Sequence, residues 1–83
     1  MPHTLNNQEI VMLRAEVEML MKERQTLLKV AGAAAVFVAE LDPDKLPEDT
    51  YDAADMLAES LNNVSEETLR DSLEVVKAEI VQA

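Results

Sequence analysis

Residues 29–41 read KVAGAAAVFVAEL, with ten apolar or small residues in succession between Lys29 and Glu40. What this run faces decides the fold: lipid, a second chain, or the protein's own remaining segments. A membrane span needs about 20 mostly apolar residues. This run is half that length and its flanks are amphipathic, so no membrane role is expected. A helix that is apolar all round is otherwise one packed on several sides. Small side chains at Ala31, Gly32, Ala34 and Ala35, followed by Val38, predict close helix packing over this stretch. Gly32 costs about 1 kcal/mol relative to alanine inside a helix, a cost that a close backbone contact would offset.

Toward the N-terminus the run continues as one long amphipathic helix. Asn6 is placed to cap it, Glu9 stands at the third position of a capping box, and Leu5 and Ile10 have the spacing of a hydrophobic staple. From there Ile10, Leu13, Val17, Leu20, Leu27, Ala31, Ala34, Val38 and Leu41 recur with the 3-4 alternation of a heptad, and Arg24 is the one charged residue in the series. Met21 and Leu28 widen the seam toward the broader face of a bundle helix. Pro43 disfavours helix at Asp42, which sets helix 1 at about residues 7–41, a rod of about 52 Å.

The segment DPDKLPED, residues 42–49, is an acidic two-proline connection. Helix 2 is expected at about 49–61, with Tyr51, Ala54, Leu57, Ala58 and Leu61 on one side. Asn62 and Asn63 end it, asparagine being tolerant of helix-terminal conformations. Ser65 caps helix 3 at about 66–81, where Glu66 and Glu67 suit the positive end of the helix dipole. Its apolar stripe is Leu69, Leu73, Val76 and Ile80.

Residues 56–73, MLAESLNNVSEETLRDSL, resemble the helix-turn-helix of bacterial DNA-binding regulators. The likeness runs through Leu57-Ala58, Leu61, a turn, Val64 and the Ser65-Glu-Glu-Thr-Leu-Arg entry into a second helix, about a quarter of the chain. That resemblance implies DNA binding through the second helix. Two features depart from the family. Asn62-Asn63 stand where a single glycine is usual, and the would-be reading helix carries Glu66, Glu67, Asp71 and Glu74 against Arg70 and Lys77. Phosphate contacts supply much of DNA affinity, and this charge pattern opposes them.

The whole chain has 83 residues, with seventeen acidic against seven basic side chains and a net charge of −10. That sign disfavours nucleic acid and anionic membranes as partners. Phe37 and Tyr51 are the two aromatics, so the core is aliphatic. With no cysteine there is no disulfide or thiolate chemistry, and the N-terminus lacks the basic-then-apolar layout of a secretory signal; a cytoplasmic protein is expected. His3 stands alone, and no metal site is expected from it. The carboxylates Asp42, Asp44, Glu48, Asp49 and Asp52 do not follow a calcium loop, since Pro47 falls at its sixth position and Ala53 at its twelfth. Neither a cofactor nor an enzymatic activity is expected.

Together these patterns give an all-α single domain, residues 1–83, with a long N-terminal helix and a short C-terminal helical hairpin. The hairpin reaches along about half of the rod, and the alanine-rich half is the natural half to cover. Ile10, Leu13, Val17, Leu20, Met21, Arg24, Leu27 and Leu28 are then expected to self-associate, giving a homo-oligomer (dimer or tetramer) that forms an intermolecular helical bundle. A parallel pair brings Glu9 near Arg14 of the second chain, whereas an antiparallel pair could put Glu16 near Glu23. The charges favour the parallel pair by under about 1 kcal/mol per contact. Arg24 is expected either to meet a glutamate such as Glu23 or to extend outward on its aliphatic stem. The expected function is a non-enzymatic protein-interaction or assembly module with a further protein partner. The alternatives are an acidic decoy that mimics nucleic acid and a helix-turn-helix regulator.

Overall fold

The computed structural model describes residues 6–82, with side chains described as far as residue 77. The fold is all-α: three helices, and no strand among the described residues. Helix α1 spans Asn7–Glu40, α2 spans Tyr51–Asn62 and α3 spans Glu66–Gln82.

Each boundary has a local cause. At the start of α1, the Asn6 Oδ1 accepts from the Glu9 backbone N–H at 2.8 Å, and the Asn6 side-chain amide donates to the Glu9 carboxylate at 3.4 Å. The capping box is thus closed side chain to side chain. Leu5, the expected partner of Ile10 in a staple, lies outside the described residues. At the other end Leu41 is already extended, with φ −66° and ψ 133°, two residues ahead of Pro43. The connection is more ordered than a plain turn. It forms 3-10 turns at Pro43–Lys45 and Glu48–Thr50, the first begun by the Asp42 carboxylate accepting from the Asp44 N–H at 3.0 Å. The second turn takes up Glu48, Asp49 and Thr50, so the α-helix proper starts at Tyr51. Ser65 caps α3, its Oγ accepting from the Thr68 N–H at 3.2 Å.

Both shorter helices use α1 as their common support. Helix α2 runs back from the end of α1, with Ala54, Leu57, Ala58 and Leu61 half-buried and Tyr51 exposed. Helix α3 then turns to run in the same sense as α1. Asp71 meets Arg24, and further along Ser72 and Val76 meet Gly32. The core lies where α3 crosses α1: Leu28 and Val76 are buried, and Ser72 is completely so at 0% exposure.

Gly32 marks the closest approach. A Cβ built there would overlap the Ser72 carbonyl oxygen and stand 2.6 Å from the Val76 Cγ2. No residue with a side chain fits without the two helices moving apart. Ser72 faces the same crossing, and its hydroxyl is satisfied within its own helix, donating to the Thr68 carbonyl at 2.8 Å. A small residue on each helix lets the backbones meet. This rotates α3 relative to the expected stripe: Ser72 and Val75 turn inward and Leu73 turns out. The side chain of Ile80 lies outside those described.

On α1, two residues differ from their sequence-based assignment. Leu28, expected on the free stripe, is buried at 5% exposure, because the cover from α3 reaches further back along α1 than the alanine-rich run. Arg24, expected to meet a glutamate or extend outward, pairs with Asp71 of α3 at 3.3 Å.

The remainder of α1 is bare. From Val11 to Leu27 every residue is exposed. The molecule measures 66 × 30 × 22 Å with a radius of gyration of 18.7 Å, where a compact chain of this length would have about 12 Å. Its accessible surface is 7271 Å², against about 4,900 Å² for a compact monomer of the same mass. The chain is a rod packed at one end.

Candidate interaction surface

The bare end of α1 has an ordered distribution of side chains. Ile10, Leu13, Val17, Leu20 and Met21 fall on one face by the 3.6-residue repeat. Leu20 is 67% exposed and the others on this face are exposed or, for Ile10, half-buried. The same face continues into the packed end, where Leu28, Ala31, Ala35 and Val38 lie on it beneath α2 and α3. One stripe therefore runs the length of α1, covered over its second half by the chain's own helices and open over its first half.

Charge borders the open part unequally. Glu9, Glu16 and Glu23 repeat at one-heptad spacing along one edge, while Arg14 stands on the other. At the junction between the two halves, Leu20, Glu23, Arg24, Leu27, Leu28 and Ala31 meet Val64 and Thr68 around an open hollow of about 410 Å³. Leu27 is exposed at its edge. Of the residues expected to self-associate, six line the open face or this junction, Leu28 belongs to the core, and Arg24 spans from α1 to α3.

A second apolar row, not singled out from the sequence, follows the opposite side of α1. Met12, Met19, Val30 and Phe37 lie along it, with Ala15 and Ala33 between, and all are exposed. Their separations of seven, eleven and seven residues return to nearly the same angle on a helix. Two opposed apolar faces on one helix are hard to see when a single heptad frame is fitted to the sequence. The signal available was the pair of exact seven-residue steps.

A further hollow, also about 410 Å³, lies where α1 meets the acidic connection and α2, between Val38, Leu41, Leu46, Tyr51 and Ala58. Its walls are apolar apart from Asp44 and Asp55. No group of three potential metal ligands gathers among the described residues, and no helix of the described chain is long and apolar enough to cross a membrane.

The resemblance to a helix-turn-helix meets a specific obstacle in this geometry. Helix α3 presents Glu66, Glu67, Arg70, Leu73, Glu74 and Lys77 to solvent, so three carboxylates and two cations share the surface that would enter a groove. That balance is net negative, whereas phosphate contacts are made by cations. No family model matches the chain, nor does any curated protein or solved structure, and the functional reading rests on the residues themselves.

Proposed function

We propose that this protein is a non-enzymatic assembly module that self-associates through the open face of α1, and that the resulting oligomer presents helical surfaces to another protein. The observation that carries this reading is the continuous exposure of residues 11–27, which includes Leu13, Val17, Leu20, Met21 and Leu27 on one side. Apolar side chains gain about 1.5–3 kcal/mol each on full burial, so a stripe of this size is strongly driven to find cover. A second copy supplies the same stripe, and two-fold symmetry makes such a contact self-complementary. The exposed row of Met12, Met19, Val30 and Phe37 supports a further protein partner, since methionine-rich faces adapt to varied surfaces. The absence of cysteine supports a cytoplasmic setting.

The test is light scattering coupled to size exclusion, comparing the wild type with Leu13→Glu plus Leu20→Glu. The wild type should give the mass of two or more chains and the variant that of one. A wild type that remains a single chain at about 100 µM, well above the Kd of a standard-sized interface, would refute the proposal. So would a variant that keeps the wild-type mass.

A further inference from the structure

We propose that two copies pair antiparallel through the open half of α1, with Ile10 of each against Leu20 of the other and Leu13 against Val17. The packed ends then lie at opposite ends of the dimer. This rests on the self-association proposed above and adds its direction and register.

Excluded volume sets the direction. A parallel partner in register would follow the seam along the whole of α1. Beyond Leu27 that seam is occupied by the chain's own helices: Leu28 and Gly32 are buried, and Ala31, Ala34, Ala35 and Val38 are half-buried beneath α2 and α3. Two interiors cannot share that space. An antiparallel partner meets the seam only where it is open. The partner's own packed end lies beyond Asn7 of the first copy, clear of the described helices of that copy.

Length and layer chemistry set the register. The open segment, residues 7–23, is about 25 Å long at 1.5 Å per residue, and in the antiparallel arrangement the two open segments cover one another end to end. Ile10 with Leu20 and Leu13 with Val17, together with their symmetry copies, give four layers that are apolar throughout. Sliding one heptad toward the packed ends places Arg24 opposite Leu13, a charge inside the seam. Sliding one heptad the other way leaves only Ile10 and Leu13 in contact. The chosen register also closes neatly at the junction, where the first turn of the second copy reaches the level of Arg24.

The chain exposes roughly 2,300 Å² more than a compact monomer of its mass, while each partner in a standard interface contributes about 800 Å². Charges at the rim oppose the arrangement: Glu16 approaches its own copy, Glu9 approaches Glu23, and Arg14 approaches Arg14. All are solvent-exposed, so water and salt screen them, whereas overlap of packed helices is not screened by anything.

The native chain has no cysteine, so introduced thiols report position without interference. Leu13→Cys and Val17→Cys are made in full-length chains carrying tags of different size, mixed, and oxidised in a glutathione buffer; both sites are exposed in the single chain, so the packed end is untouched. Antiparallel pairing predicts that the mixed Leu13→Cys/Val17→Cys product exceeds each same-site product by about tenfold, because only facing Cβ atoms meet disulfide geometry. Dominant Leu13→Cys self-cross-linking would overturn the antiparallel direction while leaving self-association intact. An oligomeric mass without any cross-link would overturn the register. A single-chain mass for the untagged wild type would overturn self-association itself.

Discussion

The guanidinium of Arg24 in α1 lies 3.3 Å from the carboxylate of Asp71 in α3, joining two helices across 47 residues of sequence. The pair stands at the boundary between the open and packed halves of the rod. Arginine occupies a seam position there, and its charge interrupts the apolar series near the point where α3 begins to cover it. The ion pair is a boundary marker more than a source of stability.

Its strength follows from its exposure. The side chains are 59% and 38% exposed, and such pairs are worth about 0.2–1 kcal/mol. A double-mutant cycle over Arg24→Ala and Asp71→Ala, read by urea unfolding, should give a coupling energy in that range that shrinks between 0.05 and about 0.5 M salt. A coupling above about 2 kcal/mol would require a drier contact than the structure provides.

At the crossing of α1 and α3, helix propensity and packing make opposite demands. Gly32→Ala adds about 1 kcal/mol of intrinsic helix preference, yet its Cβ would meet the backbone carbonyl of Ser72, which has no rotamer to escape into. Overpacking of this kind costs about 1–3 kcal/mol. The variant should therefore unfold at lower urea than the wild type. Ser72→Ala should be nearly neutral, because the lost hydroxyl was bonded only to Thr68 within the same helix; Ser72→Val should repeat the loss seen at Gly32. Measuring all three in the Leu13→Glu/Leu20→Glu background separates folding from association. Gly32→Ala with raised stability would contradict the close approach.

Helical content should depend on concentration. Residues 7–23 have no packed partner within the chain, and isolated helices near that length are marginal in water. On dilution through the dissociation range, the 222 nm ellipticity should fall by up to about a quarter, the share of the helical residues that this segment represents. Hydrogen exchange should place the loss in residues 7–23, with Leu28 and Gly32 still protected. An ellipticity independent of concentration, in a protein that does self-associate, would show that the open segment holds its helix unaided.

The caps and breakers of this fold were legible in the sequence because they act locally. Asn6 with Glu9, Ser65 at the start of α3, and Pro43 after Leu41 each need only the few residues around them. What was not legible depends on rotation between helices. Nothing in a serine at position 72 announces complete burial; it is inward because Gly32 opposite lets the backbones touch, and that rotation turns Leu73 out. Asp71 could not be matched to Arg24 for the same reason. Leu28 was assigned to the open stripe because the sequence gives the length of α3 but not how far back along α1 it starts. The second apolar row of α1 was hidden by fitting one heptad frame where two faces are present.

Residues 11–19 are exposed without exception, and this gives the overhang a freedom that the packed knob lacks. In the proposed dimer, drift in Glu9, Arg14 or Glu16 would alter which chains mate while leaving each knob folded. After duplication, two descendants could become mutually selective by exchanging those rim charges alone, and the Gly32–Ser72 contact would pass unchanged into both.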